Sequence, residues 1–82
     1  MIIKYDKQAD AVYIGLMNHT VPPRVAHSYP CDPLGVNGMI NLDFDSDWRL
    51  IGIEVMAAYS KLPAEFLKEA SEASERNRTG GN

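Results

Sequence analysis

Apolar and polar residues alternate along most of this chain and change period only near its end. From Ala11 to Met17, Val12, Ile14 and Leu16 alternate with Tyr13, Gly15 and Met17, the period of two that a half-buried strand shows. Ile2 to Tyr5 is a second β-prone run, set off from the first by the polar stretch from Asp6 to Asp10. With residues 6–9 as the loop, Tyr5 faces Asp10 and Ile3 faces Val12. Ile3, Val12, Ile14 and Leu16 then lie on one side of a hairpin. Met39 to Phe44 and Leu50 to Met56 predict the clearest hairpin. With Asp45 to Trp48 as its loop, Phe44 faces Arg49, Leu42 faces Ile51 and Ile40 faces Ile53. Ile40, Leu42, Phe44, Ile51, Ile53 and Val55 share an apolar face, and the opposite face is mixed, carrying Met39, Asn41, Asp43, Leu50, Gly52 and Glu54.

Between the hairpins, Asn18 to Pro23 reads as a connection, because Pro22 and Pro23 lack the N–H that a ladder needs. Arg24 to Tyr29 is a short edge strand with Val25, His27 and Tyr29 on one face. The proline- and glycine-rich segment Pro30 to Gly38 is a loop. From Ser60 the period becomes helical: Phe66, Leu67, Ala70 and Ala73 recur on one stripe, with Glu65, Lys68, Glu69, Glu72 and Glu75 outside it. Pro63 suits the first turn, with Ser60 or the backbone at Leu62 as cap. The fold class is therefore α+β, a small antiparallel β-sheet of four to five hairpin-connected strands packed with one C-terminal α-helix. Residues 1–76 form a single domain and residues 77–82 a flexible tail.

Composition narrows the function classes. Eighty-two residues with 45% apolar and 23% charged side chains are those of a globular chain with room for one core. A net charge of −3 and scattered Lys and Arg argue against nucleic acid as partner. The single cysteine, Cys31, excludes an intrachain disulfide. No apolar stretch approaches the ~18 residues of a membrane span, so the expectation is a cytoplasmic protein.

Two ordered blocks carry a family resemblance. The run YDKQADAVYIGL from Tyr5 to Leu16 and the run INLDFDSDWRLIGIEVM from Ile40 to Met56 resemble the bacterial family known as domain of unknown function 2283. Its members read YD-x-x-AD-x-x-YI-x-L and then D-x-D-x-x-G-x-L-x-GIE. The resemblance covers about residues 1–63 and implies a small stand-alone protein, in some members the partner of another small protein. The chain departs from the pattern at Trp48, where a turn glycine is usual, and in the proline-rich segment before Gly38.

The reactive side chains offer little catalysis. Asp43, Asp45, Asp47 and Glu54 have the spacing of a calcium loop, but Trp48 stands where that loop needs glycine and the flanks are strands. In the register above, Asp43 and Glu54 lie ~14 Å apart, too far for one ion or for an acid/base pair. His27 and Cys31 are the one nucleophile–base candidate, with His19 as a second imidazole, and they match neither a thiol enzyme nor a zinc site. No catalytic residue, metal or cofactor is assigned. The expectation is a non-enzymatic interaction module, a homodimer or the partner of a small protein, binding through Trp48, Tyr13, Met39, Leu50 and Met56. The alternative is a small hydrolase or ligand-binding protein that uses Asn41, Asp43 and Glu54 on the mixed face.

Overall fold

The computed structural model describes residues 1–17 and 24–80, with side chains through residue 74. Five strands, β1 (Ile2–Asp6), β2 (Ala11–Gly15), β3 (His27–Pro30), β4 (Ile40–Phe44) and β5 (Leu50–Met56), form one antiparallel sheet in the order β1-β2-β5-β4-β3. Among the described residues three helices accompany it: α1 (Pro33–Val36), α2 (Ala58–Lys61) and α3 (Ala64–Gly80). The expected α+β class holds, with the long helix C-terminal. Residue 76, the expected domain limit, falls within α3.

Turn chemistry corrects the first hairpin. Tyr5 faces Val12 and Ile3 faces Ile14, not Asp10 and Val12 as expected. Asp6 belongs to β1 and its Oδ1 accepts the N–H groups of Gln8 and Ala9 (3.0 and 3.1 Å), so the loop starts one residue later. Asp10 closes it in the left-handed region at φ 52°. Because the slip is by two residues, every side chain keeps its face. The strand ends at Gly15, and Leu16 and Met17 lie beyond it, exposed.

The second hairpin departs in the same way. Leu42 faces Ile53 and Ile40 faces Val55, and the register then shifts between Asp43 and Phe44, so that Asp43 faces Gly52 but Phe44 faces Leu50. Ile51 is the extra residue of this bulge. Directly paired residues share a face, so the bulge takes Leu50 off the mixed face and onto that of Phe44. The loop runs from Asp45 to Arg49, closed by Trp48 N–H to Asp45 O and Asp45 N–H to Arg49 O, both 3.0 Å. Trp48 has φ 61°, a conformation that glycine adopts without cost and other residues at about 1–2 kcal/mol. The turn glycine of the family pattern would meet this requirement. Here Trp48 instead stacks on His27, with centroids 3.8 Å apart and planes 2° apart, and lies 5.5 Å from the Phe44 ring. Such ring pairs contribute about 0.5–1.5 kcal/mol each, enough to offset the strain.

Three local expectations fail. Pro30 to Gly38 is not all loop: Asp32 accepts the Leu34 N–H (3.2 Å), Pro33 opens α1, and Asn37 ends it at φ 51°. Aspartate before proline, with Asn-Gly beyond, is a start-and-stop pattern that proline content had masked. Ser60 does not cap the long helix. It lies within α2, its Oγ donating to Ala57 O (3.0 Å), and α3 starts after Pro63, whose carbonyl accepts the Leu67 N–H (3.0 Å). The Arg24–Tyr29 strand begins only at His27 and runs to Pro30.

The core sits under α3. Val12, Ala58 and Leu67 are buried together, packed by Ile3, Tyr5, Ile14, Leu62 and Phe66. Ala70 is buried on the same stripe of α3 as Leu67. The helix packs along β1, and its Ser74 Oγ accepts the Tyr5 N–H at 2.5 Å. Asp10 pins the other end of this layer: its carbonyl accepts the Ala58 N–H and its Oδ1 the Tyr59 N–H, both 2.9 Å. Asp10→Ala leaves the Tyr59 N–H at the start of α2 without this acceptor. It is expected to cost about 1 kcal/mol in urea unfolding, and an unchanged midpoint would dismiss the capping role.

Candidate functional site

On the face away from α3, the sheet registers align two cross-strand rows. One runs Lys4, Tyr13, Glu54, Asn41 and Pro30; the next runs Ile2, Gly15, Gly52, Asp43 and Ser28. Asp43 and Glu54 are thus diagonal neighbours, about 7–8 Å apart. The ~14 Å separation expected from the sequence followed from pairing Asp43 with Leu50, and the observed pairing with Gly52 removes it. Asn41 Nδ2 donates to Glu54 Oε1 (3.1 Å), Ser28 Oγ to Asp43 Oδ1 (2.6 Å) and Tyr13 Oη to Asp43 Oδ2 (3.3 Å). Four strands therefore contribute to one polar constellation.

Gly52 makes the longest of these contacts feasible. A Cβ at Gly52 would collide with Tyr13 Oη and sit 2.5 Å from Tyr13 Cζ, so the phenol lies across β5 where only hydrogen leaves room. The glycine paired with it, Gly15, would place a Cβ 3.6 Å from Tyr13 Cε2, an ordinary contact. Burial pushes the Tyr13 phenol above its ordinary value, and the Asp43 charge, the hydrogen bond to Asp43 and then the Glu54 charge add to the effect. The neutral phenol is the form that can donate to a carboxylate. The constellation can accept a hydrogen bond or a positive charge, but each carboxylate already has a protein donor.

The aspartate string beside it is structural. Asp45 Oδ1 accepts the N–H groups of Asp47 and Arg49 (both 2.9 Å). Arg49 donates from Nε to Asp45 Oδ2 (3.1 Å) and from Nη2 to Asp47 Oδ2 (2.9 Å). The Arg49 N–H is the main cause holding the Asp45 carboxyl below the usual aspartate range, with burial opposing it and the Asp47 N–H and the Arg49 side chain reinforcing it. Among the described residues, no group of three or more His, Cys, Asp or Glu side chains could hold a metal ion. His27 and Cys31 stand at opposite ends of β3, ~13 Å apart along the strand, with His27 against Trp48 and the Cys31 N–H bonded to Ile40 O (2.8 Å). His19 lies outside the described residues. No helix among them is long and apolar enough to cross a membrane.

The side chains expected to bind a partner do not form one patch. Tyr13, Met39 and Met56 share the polar face with Asn41, Asp43 and Glu54, whereas Leu50 and Trp48 sit with Phe44 on the α3 side. Met39 and Trp48 are 60% and 61% exposed. His27 and Tyr29 share one face of β3 as the alternation predicts, but their place beside Phe44 and Leu42, and that of Ser28 beside Asp43, follow from the pairing of β3 with β4, which the sequence pattern does not supply. Sequence reasoning also missed the service Gly52 gives Tyr13, for which a glycine two residues from a strand carboxylate was the available sign.

A family model described as "Protein of unknown function (DUF2283)" matches residues 2–58. The chain belongs to this family. No curated protein and no solved structure matches it significantly. Several of the DUF2283 motif positions now have physical roles: Asp6 caps the first loop, Asp10 holds α2, Asp45 ties the second turn, and Gly52 seats Tyr13.

Gly52→Ala is expected to swing the Tyr13 ring off β5 and break its bond to Asp43. The cost should be about 1–2 kcal/mol in urea unfolding, and the Tyr13 titration should return toward the ordinary tyrosine range. Tyr13→Phe should add little in that background, and additive losses in the double variant would separate the two residues. The pH dependence has a defined sign. A carboxyl whose folded pKa is depressed stabilises the fold above its unfolded value and ceases to do so as pH falls through the depressed one. Asp45→Asn is therefore expected to flatten the loss of stability below about pH 4, measured by urea unfolding across that range.

Proposed function

We infer that this DUF2283 chain is a non-enzymatic protein-interaction module that acts through the α3-side face of β3, β4 and β5. The observation that carries this reading is a shortage of cover. Five strands at ~4.8 Å spacing span about 19 Å, and one helix is about 10–12 Å across. α3 packs along β1 and the short α2 on β5, where Ile51 and Val55 are buried, so cover is short over β3 and β4. Ile40, Leu42, Phe44 and Ile53 remain half-buried, with Tyr29, Trp48 and Leu50 exposed beside them. Tyr29 pairs with Leu42, and His27, two residues along β3, carries Trp48, so the apolar side chains are continuous. Contiguous apolar surface of this kind marks docking sites, and Trp and Tyr are enriched among the residues that dominate them.

A second reading, ligand binding at Asn41, Asp43 and Glu54, draws on the convergence of those side chains with Tyr13 and Ser28 on the polar face. One experiment weighs the two. A photoreactive phenylalanine analogue is placed at Tyr29, or at Met39 on the polar face, in cells that naturally carry the chain. The interaction reading expects a protein adduct from position 29 and none from position 39. Adducts from position 39 alone would transfer the contact to the polar face, and none from either would dismiss a protein partner.

A further inference from the structure

We propose that the Asn37–Gly38 linkage is a site of spontaneous modification, gated by local opening of α1 and held shut by the side chain of Lys61.

The chemistry starts in the sequence. Asn37–Gly38 is the single Asn-Gly pair of the chain. An asparagine side-chain amide is open to attack by the main-chain nitrogen of the next residue, and a glycine there has no Cβ to hinder the approach. The Gly38 nitrogen forms a bond to Asn37 Cγ, and the Cγ–Nδ2 bond breaks. Ammonia leaves with the proton that the Gly38 nitrogen gives up, and a cyclic imide remains. Water then opens the ring at either carbonyl, leaving an aspartyl or an isoaspartyl linkage at position 37. Amide, water and ammonia complete the balance.

The closed fold withholds this reaction. Ring closure needs the Gly38 nitrogen and the Asn37 Cβ on one side of the Asn37 Cα–C bond, but at ψ 53° they stand nearly opposite. The Gly38 N–H is also engaged, donating to Pro33 O at 3.1 Å, and the Asn37 N–H donates to the same carbonyl. Both bonds end α1, so the linkage reacts only when that turn lets go.

Lys61 holds the turn. Its Nζ reaches from α2 to donate to Val36 O at 2.9 Å, one of the carbonyls that a helix end leaves unpaired. Its stem crosses Gly38 so closely that a Cβ there would collide with Lys61 Cε. The same glycine thus eases the chemistry and admits the clasp. Little else secures α1: none of its residues is buried, and Leu34 is 92% exposed. Segments with few buried contacts open at free energies well below that of global unfolding. Asn37 is exposed, so water reaches the imide once it forms.

The product is a one-way mark, because the ammonia is lost to solvent. An isoaspartyl linkage carries one extra main-chain carbon between residues 37 and 38. Either product puts a carboxylate where the chain had a neutral amide, at the corner where α1 meets α2.

Peptide mapping by mass spectrometry of the full chain, incubated at mildly alkaline pH, follows the mass gained as the amide becomes an acid. Conversion at position 37 is expected to be about tenfold or more slower in buffer than in urea, where α1 is lost. Lys61→Met should raise the rate in buffer about fivefold, as expected for one lost hydrogen bond, and leave the rate in urea unchanged. Lys61→Arg, which keeps a donor, should stay near the wild type. Asp32→Ala removes the acceptor of the Leu34 N–H at the start of α1 and should speed conversion by a similar factor. Ala70→Gly weakens the buried stripe of α3 and should leave the rate unchanged, because global unfolding is not the gate. Equal rates in buffer and in urea would overturn the proposal. So would a rate that rises with Ala70→Gly and not with Asp32→Ala, or a Lys61→Met chain that converts at the wild-type rate.

Discussion

A single helix about 10–12 Å wide lies against a sheet about 19 Å across, and most of the architecture is a response to that mismatch. The helix is placed at one edge, along β1, where it performs two tasks at once. Leu67 and Ala70 bury the apolar face of the first hairpin, and Ser74 takes the backbone donor that an edge strand would leave exposed. At the opposite edge Pro30 removes one of the outward donors of β3. What remains only partly covered is the β3–β4 side of the apolar face, where Trp48 and Tyr29 are exposed. A domain of this size buries little enough surface that each such choice matters to its margin of stability.

The polar face is organised by a different economy. Most of its hydrogen bonds join neighbouring strands, Asn41 to Glu54 and Ser28 to Asp43, but Tyr13 reaches across β5 to Asp43 because Gly52 leaves room for the ring. Four strands are tied side chain to side chain on that face, while α3 ties only part of the other. Aspartates elsewhere serve the backbone: Asp6, Asp10, Asp32 and Asp45 each accept main-chain N–H groups at turns or helix starts. In the acidic string that resembles a cation site by spacing, Asp45 caps a turn, while Asp43, Asp47 and Glu54 accept from side chains.

The faces of the sheet were legible in the sequence and the registers were not, for one reason. Alternation fixes which side a residue takes modulo two, and both hairpins slipped by two, so Ile3, Val12, Ile14, Ile40, Leu42 and Ile53 kept their expected side. What decides the remaining ambiguity is turn chemistry, the Asx bonds of Asp6 and Asp45, which composition alone does not locate. The bulge at Ile51 is the exception, since it is a shift by one and it changed the side of Leu50. The polar constellation was hidden by the same slip, because a two-residue error doubled the distance between Asp43 and Glu54. The departure from the family pattern at Trp48 did carry information: the position requires a left-handed backbone, and an aromatic there must find a stacking partner.

The bond between Tyr5 and Ser74 spans 69 residues, nearly the whole chain, and this orders events during synthesis. Translation at about 5–20 residues per second leaves roughly 3–14 s between the emergence of the two partners. Throughout that interval β1 and β2 can pair, but their outer edge and apolar face have no cover. Of the five strands, β1 is made first and sealed last. A newly made copy in this window presents a β1 edge that α3 later covers, and crowding of nascent chains on a single message would bring such edges together.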